Sequence, residues 1–255
     1  MSDNIILEAH DLSKRFGGLC AVDGVSLQVR AGAFHSVIGP NGAGKTTLFN
    51  LLSGVYKPTA GRIMFKGKEI TALPVHRRSR LGIGRSFQIT NVFPNLTVLE
   101  NVRIAAQARG RDSFRFLHDY RAFRRYTDRA AAILELVGLS DKAILPAASL
   151  PHGDKRKLEI GILLATEPEV LLLDEPTAGI SREEVPAIME VIGRIKAAGG
   201  KTIMLVEHKM EIVMNASDRI TVMQHGKVIA EGAPAEIAAN PTVQQAYLGG
   251  GALAA

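Results

Sequence analysis

The sequence lacks the features that mark secreted and membrane-spanning proteins. It contains one cysteine, Cys20, in 255 residues, so no disulfide can form within the chain, which favours a reducing compartment. No uninterrupted apolar run approaches the roughly 18 residues that a membrane-spanning helix needs. Acidic and polar side chains interrupt residues 1–16, where a signal peptide would have an apolar stretch. We therefore expect a chain with no signal peptide or membrane span, soluble by itself.

The composition is sufficient for a packed core. Apolar residues make up 46% of the chain, which argues against disorder and, at this length, indicates one large domain or one domain with an insertion. The formal net charge is +6. That value fits a nucleic acid, an anionic lipid or a phosphate ligand, but it is also ordinary for a soluble protein, so charge alone does not identify a partner.

The strongest local signal is "GPNGAGKT" at residues 39–46, which fits the pattern G-x-x-x-x-G-K-[ST]. A buried strand is predicted before it, at 33–38, and a helix after it, at 47–53. Glycines let backbone N–H groups converge on a polyphosphate, to which the helix N-terminus adds positive dipole. The lysine would reach the β- and γ-phosphates, and the hydroxyl of Thr46 can ligate Mg²⁺. The predicted ATP-binding residues are Gly39, Pro40, Asn41, Gly42, Ala43, Gly44, Lys45, Thr46 and Thr47.

A second polar site follows the apolar run at residues 170–173, which is typical of a central parallel strand. Ligands bind at the carboxyl ends of such strands. We therefore expect Asp174 to hold Mg²⁺ beside the phosphate loop, and Glu175 to orient and deprotonate the attacking water. Gln88 and His208 also stand at predicted strand ends. Each alone is more typical of a structural or exposed side chain, but as further polar groups at one site they are candidates for contacts to Mg²⁺, water and the γ-phosphate.

The order of these segments resembles the ATP-binding subunits of ABC transporters, over residues 5–249. The resemblance implies that 39–47 is Walker A, Gln88 the Q-loop glutamine and metal contact, Asp174 the end of Walker B, Glu175 the catalytic glutamate and His208 the switch histidine. It also implies that Phe16 stacks on adenine. The implied signature motif, which binds the partner's ATP, is Leu150, Pro151, His152, Gly153 and Asp154. The implied D-loop is Ala178, Gly179, Ile180 and Ser181.

Within that family, several segments resemble the ATPases of branched-chain amino acid importers. They include "GRSFQ", "NVFPNLTVLENV" and the ending "NPTVQQAYLGG". Urea and amide importers share these features, so the transported solute stays open.

The resemblance implies an α/β fold: a P-loop NTPase (RecA-like) core with an antiparallel β subdomain and an inserted α-helical subdomain. Residues 1–88 and 168–255 would form the core with its β subdomain, and 89–167 the helical subdomain. The residues themselves agree. Alternation at 62–70 and 219–232 predicts antiparallel strands, with a hairpin turn at 225–226. Apolar residues at 130, 133, 134 and 137 predict a helix.

The signature departs from the family pattern Leu-Ser-Gly-Gly-Gln, because this sequence has Leu-Pro-His-Gly-Asp at 150–154. Pro151 replaces the serine whose hydroxyl meets the partner's γ-phosphate, and proline has no donor to replace it. Proline does suit the first turn of a helix. We therefore expect a working but weaker clamp, in which His152 or the Gly153 N–H substitutes.

The resemblance also implies partners. Two subunits, identical or different, would meet head to tail with ATP and Mg²⁺ between them, at the cytoplasmic face of the inner membrane. Membrane permeases would contact Phe93 and Pro94, a solute-binding protein would act indirectly, and no nucleic acid is involved. Arg121, Arg124, Arg125 and Arg129 are predicted to share a helix face, which is either solvated or contacts anionic lipid or an acidic permease loop.

Two functions from other classes compete with transport. Soluble ABC-type ATPases of DNA repair or translation usually carry two nucleotide domains or a long coiled-coil insertion, and this sequence has neither. A regulatory subunit with little hydrolysis is disfavoured by Glu175 and His208, although the altered signature is compatible with it. A GTPase is disfavoured because no Asn-Lys-x-Asp motif is present.

Overall fold

The computed structural model describes residues 4–86, 92–110 and 124–248. The strands are β1 (Ile5–Phe16), β2 (Leu19–Arg30), β3 (Phe34–Ile38), β4 (Ala60–Phe65), β5 (Lys68–Glu69), β6 (Ile83–Arg85), β7 (Val170–Asp174), β8 (Thr202–Val206), β9 (Arg219–Gln224) and β10 (Lys227–Gly232). The helices are α1 (Lys45–Ser53), α2 (Val75–Leu81), α3 (Val98–Arg109), α4 (Arg124–Val137), α5 (His152–Ala165), α6 (Val185–Ala197), α7 (Met210–Ala216), α8 (Pro234–Ala238) and α9 (Pro241–Leu248).

The central layer is a six-stranded sheet in the order β10-β9-β3-β8-β7-β6. Its strands are parallel except at one edge, where β10 pairs antiparallel with β9. The strand predicted before the phosphate loop is β3, and the one predicted before the two carboxylates is β7. Since β3, β7 and β8 are adjacent and parallel, the segments that follow them all leave the sheet at the same edge.

Both faces of this sheet are covered, which explains why its inner strands are apolar throughout. Leu171 and Leu173 of β7 pack with α3, α4, α5 and α6 in one core cluster. Val170 and Leu172 point the other way, into a cluster shared with α1 and the four-stranded sheet. Successive side chains of a strand lie on opposite faces, so a continuous apolar run supplies both cores at once.

The second sheet is antiparallel, in the order β2-β1-β4-β5. The alternation at 62–70 thus predicted its strands β4 and β5 correctly. The hairpin expected at 219–232 is also confirmed, because β9 and β10 pair from Gln224 and Lys227 outward. His225 and Gly226 both have positive φ, 47° and 80°, as a two-residue hairpin turn requires.

Helices α3, α4 and α5 pack together on one side of the sheet. The apolar periodicity at Ala130, Ile133, Leu134 and Val137 is confirmed, since all four are buried in α4. Of the predicted arginine face, Arg124 and Arg125 are exposed, and Arg129 is half-buried and forms an ion pair with Glu167. Arg125 and Arg129 line one cavity, whereas Arg121 lies outside the described residues, so the shared face stays a prediction.

Ser181 and Glu184 have the spacing of a capping box, but this box is only half formed. The Ser181 N–H donates to the Glu184 carboxylate at 3.2 Å, but Glu184 N–H meets the backbone oxygen of Ser181 instead of its hydroxyl. Helix α6 begins one residue later, at Val185, with Pro186 in its first turn. Proline is tolerated there, because a first-turn N–H has no intrahelical partner. Among the described helices, none is both long enough and apolar enough to cross a bilayer.

Candidate functional site

A cleft of about 580 Å³ opens at the edge where the parallel strands end. Residues of the phosphate loop and of the first turn of α1 line one side. Glu175, after β7, and His208, after β8, line the other. The sheet therefore brings together four of the segments predicted from sequence, although they are separated by up to about 170 positions in the chain.

Two glycines of the phosphate loop allow its backbone to pass close to neighbouring strands. Gly39 has φ 152° and Gly44 has φ 100°, a backbone conformation that L side chains rarely adopt. A Cβ atom would stand 2.1 Å from the Met223 oxygen at Gly39 and 2.3 Å from the Ala21 oxygen at Gly44. Any other residue at either position would displace the loop from the strands that support it.

Lys45 is buried at the start of α1 and turns back over the loop. Its Nζ donates to the carbonyl oxygens of Gly39, at 2.7 Å, and Pro40, at 3.0 Å. Burial lowers the pKa of Lys45, while the nearby negative charges of Glu175 and Asp174 act in the opposite direction. The ammonium group is thus held at the centre of the loop by weak neutral acceptors, which an anionic phosphate would replace with stronger, charge-assisted hydrogen bonds.

Asp174 is 2% exposed, and its two oxygens differ. Oδ2 accepts from Arg85 Nη2 at 2.9 Å, whereas Oδ1 is buried and has no hydrogen-bond partner among the residues that the structure describes. Burial raises the pKa of this carboxyl, and the Arg85 guanidinium opposes that shift. A buried carboxylate oxygen without a partner needs a ligand. Its place beside the phosphate loop suits a water-bound Mg²⁺.

No group of three or more His, Cys, Asp or Glu side chains forms a metal cage within residues 4–86, 92–110 and 124–248. Mg²⁺ is usually held by one or two carboxylates together with substrate phosphates and water. The donors present, the hydroxyl of Thr46 and the carboxylate of Asp174, fit that mode. Gln88, also predicted as a metal contact, lies outside the described residues.

Glu175 and His208 are in direct contact. Glu175 Oε1 and His208 Nε2 are 2.8 Å apart and hydrogen-bonded. The Glu175 backbone has φ 48°, which is uncommon for a residue with a side chain and is often found at functional sites. Its N–H donates to the Val206 oxygen at 2.9 Å, so this backbone shape is held by the neighbouring strand and directs the carboxylate into the cleft.

The predicted adenine platform, Phe16, lies at the end of β1 and is 43% exposed. Its ring meets that of Tyr56 edge to face, with centroids 5.3 Å apart. Phe16 pairs across the β1–β2 turn with Leu19, which lines the cleft. Lys14 Nζ lies over the Phe16 ring, 5.1 Å from its centroid. Leu19, not Phe16, is the residue that lines the cleft, so stacking of Phe16 on adenine stays a prediction.

The signature segment begins helix α5. Pro151 is its N-cap, and His152 is its first helical residue. The Gly153 N–H, expected to substitute for the missing serine, donates to Glu184 Oε1 at 3.2 Å. Asp154, where the family has glutamine, is nearly buried between Lys142 and Lys157. Burial tends to raise the Asp154 pKa, but hydrogen bonds from both lysines bring the net pKa below its usual value.

The predicted D-loop, residues 178–181, passes beside this helix start. A Cβ on Gly179 would contact His152 Cε1 at 3.7 Å. A second cavity of about 290 Å³ is lined by residues of the signature helix, the D-loop and Walker B; these include His152, Gly179 and Glu175. Glu175 thus lines two cavities, one facing the phosphate loop and one facing the signature helix.

The family model described as "ABC transporter" matches residues 22–178, more than half of the chain. The chain belongs to the ABC transporter family. A second model, described as "Branched-chain amino acid ATP-binding cassette transporter", matches residues 227–252. As an ABC transporter ATPase, the chain binds and hydrolyses ATP on the P-loop NTPase fold expected from its sequence.

Relatives of known name cover nearly the whole chain. The high-affinity branched-chain amino acid transport ATP-binding protein LivG of Salmonella typhimurium is 44% identical over 96% of this chain and 98% of its own length. The ATP-binding cassette MJ1267 in its ADP conformation superposes with a TM-score of 0.83, at 33% identity, over 96% of this chain and 99% of that chain. The cassette MJ0796, seen as a dimer with ADP and Pi, gives 0.76 at 25% identity, over 90% and 99%.

Several residues at this ABC ATPase site were not predicted from the sequence. Arg85 Nη1 donates to Asn50 Oδ1 at 2.5 Å and to Ser53 Oγ at 3.1 Å while Nη2 holds Asp174, so one side chain ties α1 to Walker B. Glu184 accepts the hydrogen bond of the Gly153 N–H. In the sequence, Arg85 is marked only by its place three residues before Gln88, and Glu184 only by its place three residues after Ser181.

Proposed function

We propose that this chain is the ATPase subunit of an importer for branched-chain amino acids, bound at the cytoplasmic face of the inner membrane. The observation that carries this proposal is the relative LivG, which aligns with this chain from end to end. The separate match of residues 227–252 to the branched-chain amino acid family model supports the same solute class.

In the proposed cycle the phosphate loop binds ATP through its N–H groups and the Lys45 ammonium. Asp174 and Thr46 would hold Mg²⁺, which when bound would neutralise phosphate charge. Arg85, which donates to Asp174 Oδ2 at 2.9 Å, would keep that carboxylate oriented. Gln88 would complete the metal contacts, and Phe16 would stack on adenine.

Hydrolysis is assigned to the pair of Glu175 and His208. Glu175 orients the attacking water and takes its proton as general base. His208, hydrogen-bonded to Glu175, would keep that carboxylate in place and donate to the γ-phosphate. The left-handed backbone at Glu175 supports this assignment, because strain of this kind persists only where the surroundings enforce it.

The signature motif, 150–154, is proposed to act on the ATP of a second subunit. Residues 89–167 form the helical subdomain that carries it, and residues 1–88 and 168–255 form the core. The dimer of MJ0796 supports a paired arrangement, in which each nucleotide lies between the phosphate loop of one subunit and helix α5 of the other. The D-loop, 178–181, would lie along the contact, where Gly179 adjoins His152.

Replacing Pro151 with serine should strengthen this clamp. A serine hydroxyl at the N-cap adds one hydrogen bond to a charged phosphate, which raises ATP-induced dimerisation about tenfold. Light scattering against ATP concentration measures the effect. Pro234→Ser is the matched control, because Pro234 also begins a helix but α8 is remote from the signature. Equal dimerisation and equal ATPase rates in parent and Pro151→Ser would show that the clamp does not depend on this position.

Phe93 and Pro94 are proposed to contact a permease. Phe93 is 56% exposed, which is unusual for a large apolar side chain. The loop below it is rigid, since Asn101 accepts from the Phe93 N–H at 2.7 Å and donates to its carbonyl oxygen at 3.1 Å. A rigid, exposed aromatic residue is a suitable anchor for another protein.

Co-expression with the permease, second-ATPase and binding-protein genes beside its own tests the proposal. We expect the chain to copurify with the permeases. Membrane vesicles that contain the complex should take up leucine, isoleucine and valine in an ATP-dependent way.

Lys45→Ala, which removes the ammonium from the phosphate loop, should abolish uptake and weaken ATP binding in calorimetry while leaving the complex assembled. Uptake of urea or acetamide instead of leucine would overturn the solute, and failure to copurify would overturn the importer.

A further inference from the structure

Glu207, at the end of β8, is a buried carboxylate with no role in the proposed cycle. It stands directly before His208 and is 3% exposed. Its Oε1 accepts two hydrogen bonds from Thr177, from the backbone N–H at 3.0 Å and from the hydroxyl at 2.7 Å. Its Oε2 accepts from the His208 N–H at 3.2 Å. One carboxylate therefore joins two segments that leave the sheet from different strands.

Those two segments are the ones expected to respond to ATP. Thr177 is buried and immediately precedes the D-loop at Ala178. The turn between Walker B and the D-loop is closed by the Ala178 N–H, which donates to the Glu175 backbone oxygen at 3.0 Å. His208 faces Glu175 from the other strand. Glu207 thus completes a ring of hydrogen bonds that runs through Glu175, the start of the D-loop and His208.

The backbone N–H groups of Thr177 and His208, one facing each oxygen of Glu207, can only donate, so the site requires an acceptor at both positions. The Thr177 hydroxyl, which could also accept, donates here. A carboxylate satisfies all three with its two oxygens. A glutamine of the same shape would turn an NH₂ group toward at least one N–H, and water cannot easily reach so buried a position to compensate. The need for a charged residue at this position is therefore specific to this ring and does not follow from packing.

We infer that Glu207 is a positioning residue that couples the switch histidine to the D-loop. This inference rests on the proposed roles of His208 and Glu175. Because both oxygens are engaged, His208 cannot move away from the γ-phosphate side without pulling on Thr177 or leaving a buried acceptor unpaired. The D-loop then follows, and its Gly179 lines the same cavity as His152 at the start of the signature helix. Hydrolysis of the ATP on the phosphate loop thereby changes the position of the signature helix, which binds the ATP of the second subunit.

The test uses the full chain with Glu207→Gln and Thr177→Val, each compared with the parent. We expect ATP affinity within about twofold of the parent, because the phosphate loop is untouched, and a kcat lowered about tenfold. The Hill coefficient for ATP should fall toward unity, which a merely structural defect would not cause.

Thr177→Ser keeps the hydroxyl donor and should restore the kcat and Hill coefficient of the parent. Glu231→Gln is the structural control: that carboxylate accepts from Arg219 and Thr221, remote from the cleft.

A double mutant separates this inference from the proposed roles. If Glu207 acts through His208, Glu207→Gln should lower kcat little further in a His208→Ala background. Full additivity there, or an unchanged kcat and Hill coefficient in both Glu207→Gln and Thr177→Val, would overturn the coupling. Parent-like hydrolysis by His208→Ala would instead overturn the proposed role of the histidine. If Glu231→Gln lowers kcat as much as Glu207→Gln does, the effect is not specific to Glu207 and the inference is wrong.

Discussion

Replacing Glu175 with glutamine is expected to lower the rate of ATP hydrolysis by about 10²–10⁴, the range attributed to a positioned general base. The amide has the shape of the carboxylate and can still hydrogen-bond His208 across the 2.8 Å contact. It cannot accept a proton from water. Substrate therefore binds and stays intact, and phosphate release under steady-state conditions measures the loss.

The same variant should accumulate a nucleotide-bound dimer. In the proposed cycle ATP joins two subunits as long as the γ-phosphate is present, so a chain that binds without hydrolysing should remain paired. Size-exclusion chromatography with light scattering, with and without ATP, detects this species. Glu190→Gln is the control, since its exposed carboxylate on α6 pairs with the neighbouring Arg194. Hydrolysis by Glu175→Gln at the parent rate would show that the general base is another group.

The position of Glu175 shows what the sequence alone can reveal about such a site. Contiguous motifs and the apolar runs before them identify residues at the ends of parallel strands, and those ends meet at one edge in this fold. The phosphate loop, Asp174, Glu175 and His208 could all be assigned to one cleft in this way. Short-range signals such as the hairpin turn at 225–226 were equally informative.

The residues that hold the catalytic groups in place were not predictable by the same means. Arg85, Glu184 and Glu207 act on groups more than 25 positions away in the chain. No local pattern marks them, because what each requires is a set of donors or acceptors that only the tertiary structure brings together. The sequence shows an arginine or a glutamate near a motif, and a solvated side chain is the ordinary expectation for either.

Arg78 is the extreme case of a residue that only the structure explains. It is 1% exposed, a rare state for arginine. Its Nη1 donates to the oxygens of Leu51 and Leu52 at the end of α1, at 2.7 and 2.9 Å. Nε and Nη2 donate to Leu73 and Thr71 at 2.9 and 3.0 Å. Burial lowers its pKa to about 10, so the guanidinium stays charged at neutral pH and caps the negative end of the phosphate-loop helix.

Replacing Arg78 with methionine should therefore lower the free energy of unfolding by at least about 3 kcal/mol, because two buried and two half-buried carbonyl oxygens lose this donor. For a chain of this size that corresponds to a melting temperature roughly 6–12 °C lower. Thermal and urea unfolding followed by circular dichroism measure it. Arg77→Met is the matched control, since Arg77 is the exposed neighbour on the same helix and should change stability by less than about 0.5 kcal/mol.

The comparison of the two arginine variants also separates charge from capping. Both lose one positive charge from the same helix, so a general electrostatic effect would appear in both. Arg78→Lys adds a third point: it keeps the charge, but a single ammonium cannot reach the four carbonyls that the planar guanidinium bridges, and we expect it to recover only part of the stability. If Arg78→Met melts within a degree of Arg77→Met, the carbonyls at the end of α1 find other donors and the guanidinium is not what joins α1 to α2.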